Sequence, residues 1–173
     1  MKKIIMAVCL ASLWGCADSH SLNVTESNIT TTINSTQSVY IALSKDGSYG
    51  NHHYNGSGMM LSQTIQTSLI KRLHNVEIAG KPELFPEALN SAKRGGYDYL
   101  FYPTIMHWED RATEWSAKPD KVTVKIAVID VDTQTEIKSA VVDGKSGIVT
   151  FGGDHPQDLL PEPVEKFTAQ LFN

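Results

Sequence analysis

The chain has 173 residues, 41% of them hydrophobic and 20% charged, with 15 Lys and Arg against 19 Asp and Glu for a formal net charge of −4. That profile belongs to one ordinary globular domain and excludes collagen-like, coiled-coil and wholly disordered chains. An acidic balance also offers no basic stripe to neutralise phosphates, so nucleic acid is not expected as a partner.

The first segment reads as an export signal. Lys2 and Lys3 precede an apolar run from Ile4 to Trp14, which is too short to span a bilayer. It ends in Leu13-Trp14-Gly15-Cys16, the pattern of a bacterial lipobox, with Leu three residues before the Cys and a small residue immediately before it. In that chemistry the Cys16 thiol takes a diacylglyceryl group, the signal is cut before it, and the freed amine is acylated. Two or three acyl chains hold a protein on a bilayer where one does not. The alternative is an ordinary secretory signal cut after a small residue such as Ala17, leaving no lipid. Cys9 leaves with the signal and Cys16 carries the lipid, so no thiol remains for a disulfide or for catalysis. Ala17 is not the Asp that retains bacterial lipoproteins in the inner membrane, so an outer-membrane anchor facing the periplasm is expected. The expected division is a lipoprotein signal peptide over 1–15, lipidated Cys16 and a flexible tether over 16–37, and a single globular domain over 38–173. The tether assignment rests on the Ser-, Thr- and Asn-rich composition of Ala17 to Gln37.

From Ser38 the pattern is regular. Val39-Tyr40-Ile41-Ala42-Leu43 predicts a buried strand, and a Gly-rich loop follows from Ser44 to Gly58. Leu61, Ile65, Leu69, Ile70 and Leu73 recur at helical spacing behind Ser57, a candidate N-cap. Asn75 to Ala79 predicts a strand, and Pro82 to Arg94 a helix ended by Gly95-Gly96. Tyr97 to Met106 is continuously apolar and predicts a central strand, with Pro103 near a bulge or the end of pairing. Lys121 to Val131 alternates, and the turn Asp132-Thr133-Gln134-Thr135 leads to a strand over Glu136 to Val142, which makes a hairpin. Val164, Phe167 and Leu171 mark a last helix with Pro161 and Pro163 at its start. The order β-α-β-α-β-β-β-α predicts an α/β (α+β) domain, a mixed sheet with helices packed on it.

Two loop segments concentrate the chemistry. His107-Trp108-Glu109-Asp110-Arg111-Ala112-Thr113-Glu114-Trp115 follows the central strand, and Asp154-His155 lies in Thr150-Phe151-Gly152-Gly153-Asp154-His155-Pro156-Gln157-Asp158-Leu159-Leu160-Pro161. Trp108 and Trp115 offer flat apolar faces, and Arg111 can grip a carboxylate with two N–H groups. These residues form the candidate binding surface: His107, Trp108, Glu109, Asp110, Arg111, Trp115, Asp154 and His155. The competing role is structural, with the indoles capping the core edge and Arg111 pairing with Glu109 or Asp110 to hold the loop. If the two loops converge, His107-Asp110 and Asp154-His155 could form a metal or acid/base site. Their spacing does not demand it, and no metal or cofactor is assigned. His52-His53, in a loop, are expected to face solvent. Gly56-Ser57-Gly58 lacks the Lys and Ser/Thr of a phosphate loop.

With Ser38-Val39-Tyr40-Ile41 and Lys45-Asp46-Gly47, the two loop motifs resemble the bacterial lipoprotein family catalogued as domain of unknown function 4823. The resemblance covers nearly all of the domain. It implies a Gram-negative periplasmic lipoprotein and supplies no activity. More remotely, the order of elements is similar to the small α/β domains of the Tol-system periplasmic protein and the curli-secretion lipoprotein, a likeness of topology alone. The expected function is therefore a binding or accessory module of the cell envelope. It would be held to the lipid bilayer through Cys16, with an envelope protein or peptidoglycan as partner. The other class is a metal- or carboxylate-assisted hydrolase of envelope material.

Overall fold

A computed structural model describes residues 18–26, 32–111, 119–147 and 155–172. Cys16, Trp115 and Asp154, with the signal segment, lie outside the described residues. The elements are β1 (Ser19–Glu26), β2 (Ser38–Leu43), β3 (Gly47–Tyr49), β4 (His52–Tyr54), α1 (Ser57–Leu69), β5 (Asn75–Pro82), α2 (Phe85–Gly95), β6 (Tyr99–Glu109), β7 (Lys121–Asp130), β8 (Thr135–Lys145), a 3-10 turn at Pro156–Leu159, and α3 (Pro161–Ala169).

Six strands form one mixed sheet in the order β1-β8-β7-β6-β2-β5. β2 runs parallel to both β5 and β6, while β6, β7, β8 and β1 pair antiparallel in succession. The predicted order is present as β2-α1-β5-α2-β6-β7-β8-α3. β2 is buried along its whole length because both its faces are covered. Val39 and Ile41 point into the larger core with Leu61, Ile65 and Leu69 of α1, Val164 and Phe167 of α3, and Phe101 and Trp108 of β6. Tyr40 and Ala42 point the other way, onto Ala88 and Ala92 of α2. Two small alanines let α2 lie close on the sheet, and its end is set by Gly96 at φ 71°, a left-handed position that favours glycine. Pro103 sits beyond the β2 pairing, which covers Tyr99 to Phe101 only, and the β6 bulge falls between Ile105 and His107.

Five features depart from the sequence expectation. β6 runs on to Glu109 in pairing with β7, so His107, Trp108 and Glu109 are strand rather than loop. α2 begins at Phe85 because Pro82 still belongs to β5. Three more lie in the amino-terminal part. Residues 19–26 are not tether but an edge strand paired along its length with β8, from Ser19 opposite Lys145 to Glu26 opposite Lys138. Leu22 and Val24 of that strand pack on the core, while Ser21, Asn23 and Thr25, which alternate with them, are polar because they lie on the strand's uncovered face. Ile33 is also buried, and its N–H donates to the Leu171 carbonyl, so the domain begins well before Ser38. The Gly-rich loop contains the hairpin β3–β4, closed by Gly50-Asn51 with Gly50 at φ 57°. His52 and His53 stand in its second strand, both exposed. Finally, Gly56 rather than Ser57 occupies the N-cap of α1, at φ 89°. Ser57 opens the helix and its hydroxyl accepts the Gly47 N–H at 2.8 Å.

α1 and α3 are joined by one carboxylate. Glu165 accepts from Ser68 at 2.7 Å and from Lys71 at 2.8 Å, and pairs with Arg72 at 2.9 Å. The Lys71 bond, with those from Ser68 and Arg72, holds its carboxyl at about 2. A lowered folded pKa stabilises above the unfolded value near 4.5 and loses that contribution as pH falls toward 2. Glu165→Gln is therefore expected to flatten the pH dependence of the melting temperature between about pH 5 and pH 2. Its cost at pH 7 should be on the order of 1 kcal/mol, since the cluster faces solvent in part.

Candidate functional site

The site lies at one end of the sheet. Glu109, the last residue of β6, stands opposite Lys121, which stands opposite Lys145, which stands opposite Ser19. The loops after β6 and β8 therefore leave from neighbouring positions. They meet: His155 Nδ1 lies 3.4 Å from Asp110 Oδ2. The Arg111 N–H donates to Asp120 Oδ1, and the Asp120 N–H donates to the Ser146 hydroxyl at 2.8 Å.

Glu109 is buried to 2% exposure, and its charge is met by Arg111, whose Nε and Nη2 both reach Oε1. His107 Nε2 lies 3.3 Å from the other oxygen. Burial alone would raise this carboxyl, but the bonds from Arg111 and His107 outweigh it and hold it below the usual carboxylate range. Arg111 also stacks over the Tyr49 ring at 6.0 Å, and Tyr49 meets His107 edge-on at 5.2 Å. The pairing role weighed for Arg111 is the one it fills. Arg111→Ala is expected to lower the melting temperature strongly at pH 7 and much less near pH 4. In the variant Glu109 loses its counter-charge, and protonation then relieves the buried carboxylate; scanning calorimetry at the two pH values checks this.

Trp108, weighed as a flat binding face, is 2% exposed and belongs to the core. Along a strand neighbouring side chains alternate faces, so this indole turns inward, opposite Val122. His107, Asp110, Arg111 and His155 remain at least partly open. Sequence reasoning missed Tyr49, Tyr54 and Asp120. The tyrosines come from the unrecognised hairpin, whose Gly50-Asn51 turn between short polar runs was the available signal. Tyr54 donates from its hydroxyl to the Asp110 carbonyl at 3.4 Å. Asp120 stands just before β7 in what reads as an ordinary turn.

Asp110, Asp120 and His155 bring one ligand atom each to within 4.8 Å of one another. Two carboxylates and an imidazole are a donor set that suits a divalent cation. Burial, with Asp110 and Glu109 nearby, raises the Asp120 carboxyl above its ordinary value against the lowering bond from the Arg111 N–H.

The family model described as Domain of unknown function (DUF4823) matches residues 31–171. The chain belongs to this family. The DUF4823 chain is similar in fold to the PelC dodecamer from Paraburkholderia phytofirmans, at 13% identity and a TM-score of 0.69 over 90% of this chain and 99% of that one. It is also similar to lipoprotein GNA1162 from Neisseria meningitidis, at 16% identity and a TM-score of 0.52 over 78% of this chain and 97% of that one. A search of curated proteins found no match. At such identities the likeness concerns the fold. Among the described residues no helix is long and apolar enough to cross a membrane.

Proposed function

We propose that this DUF4823 chain is an outer-membrane-anchored periplasmic lipoprotein, held by acylated Cys16, that serves as a binding or accessory module of the cell envelope. Its partner, an envelope protein or peptidoglycan, meets the polar surface of His107, Asp110, Arg111 and His155. The observation that carries this reading is the meeting of the two loops, His155 on Asp110, at the sheet end where β1 begins. The lipobox at Cys16 and the fold shared with a Neisseria lipoprotein support the anchor. PelC is a dodecamer, so a further copy of this chain belongs among the envelope proteins tested.

Cys16→Ala is expected to leave an unprocessed precursor without palmitate labelling, and a mature, unlipidated wild-type protein would refute the anchor. His155→Ala, at an exposed position, is expected to weaken partner capture from envelope extracts without changing the melting temperature. Undiminished capture would remove this surface from the reading. The hydrolase reading is favoured by one observation, the Asp110, Asp120 and His155 donor set. Stoichiometric uptake of Zn²⁺ or Mn²⁺ by the wild-type domain, lost in Asp120→Asn, would support its metal-assisted form, and no uptake by a folded domain would remove that form.

A further inference from the structure

The amino-terminal strand fixes how the domain can stand on a bilayer. Only Ala17 and Asp18 lie between Cys16 and the first residue of β1. At about 3.5 Å per extended residue, Ser19 stays within roughly 11 Å of Cys16. Asp18 is itself held, its Oδ1 accepting the Gly147 N–H at 3.0 Å. The row of Ser19, Lys145, Lys121 and Glu109 therefore stays near the anchor. Lys121 and Lys145 are directly opposed on adjacent strands, both exposed, an arrangement of like charges that disfavours the sheet. Neither forms an ion pair among the described residues. Among the described carboxylates nearby, Glu109 holds Arg111 and His107, and Asp143, which keeps its charge, accepts from Thr123 at 2.7 Å and from Ser21 at 3.4 Å rather than from either lysine. Two unpaired cations beside the anchor point are what an anionic surface would neutralise.

We propose that this end of the sheet is seated beside the bilayer, with Lys121 and Lys145 against lipid headgroup phosphates and the Asp110 and His155 surface just above the headgroups, still open to a partner on the periplasmic side. The proposal rests on the acylation of Cys16 in the function proposed above. The opposite end, the β7–β8 turn at Asp132, then stands roughly 30 Å away, the length of a strand of about ten residues.

The test uses the acylated full chain in vesicles of phosphatidylethanolamine and phosphatidylglycerol containing headgroup-quencher lipids. Acylated Cys16 does not react with thiol probes, so a fluorophore is attached at His155→Cys or at Asp132→Cys. Quenching is expected to be several-fold stronger at position 155. Inserting about 20 Gly and Ser residues between Ala17 and Asp18 should bring the two positions to equal quenching. Lys121→Gln with Lys145→Gln should narrow the difference while palmitate labelling and circular dichroism stay unchanged. Equal quenching in the acylated, uninserted chain would overturn the seating alone. Absence of both palmitate and vesicle association would overturn the seating together with the anchor.

Discussion

Trp108→Ala is expected to be the most damaging single substitution in the domain, lowering its stability by about 3–5 kcal/mol in chemical denaturation. The indole is 2% exposed and, among the described residues, is the largest of the fully buried side chains. It packs in the larger core among β6, β7 and the helices, and the β3 backbone lies directly against it. A Cβ on Gly47 would stand 2.5 Å from the Trp108 Cβ, so no side chain fits between them. The cavity left by alanine would reach the site, because β3 carries Tyr49 beneath Arg111 and the hairpin carries Tyr54 to Asp110. Near-ultraviolet circular dichroism should fall with stability. A loss below about 1 kcal/mol would contradict the packing described, since filling of the void by neighbours would have to be nearly complete.

Gly58→Ala is expected to cost about 2–3 kcal/mol for a different reason. A Cβ there would lie 2.1 Å from the Ser44 carbonyl oxygen, which is backbone and cannot swing aside. The start of α1 would have to move off the end of β2. That movement would break the Gly58 N–H bond to Asp46 Oδ1 at 2.9 Å and the Gly47 bond to Ser57 at 2.8 Å. Gly56 provides the comparison, because it has open space around a would-be Cβ and a φ of 89°. Gly56→Ala meets only the left-handed backbone penalty, about 1–2 kcal/mol. Urea denaturation of the two variants separates contact from conformation, and equal costs would argue against the close approach of α1 to Ser44.

The sheet and helices were legible wherever one face had to be apolar. Val122, Val124, Ile126 and Val128 alternate in the sequence and all four lie in the larger core. β2 was readable as a continuous apolar run because helices cover both its sides. What escaped was polar or short. β1 offers only Leu22 and Val24 to the core, so its composition resembles a linker. β3 and β4 have three residues each, less than the period-2 pattern needs to declare itself. α2 begins at Phe85 rather than Pro82 because Pro82 pairs with Leu43 at the end of β5. At the site, the sequence placed His107, Asp110 and His155 in loops after strands; Asp110 and His155 are there, whereas His107 stands within β6, opposite Thr123. That the loops meet, and that Asp120 joins them, depends on which strands are neighbours, and no local pattern encodes that.

The pairing of β1 with β8 also orders the assembly of the domain. Ser19 and Lys145 are 126 positions apart along the chain, so the segment made first has its partner made near the last. Closing so long a loop brings no gain until the β7–β8 hairpin exists to receive the strand. The inner strands can form around β2 and β6 while β1 waits, leaving the outer side of β8 as an open edge in the interval. The consequence is a polarity in time. Residues 19–26 dock onto the sheet late, and a chain truncated before Lys138 retains none of the partners of the strand that begins at Ser19.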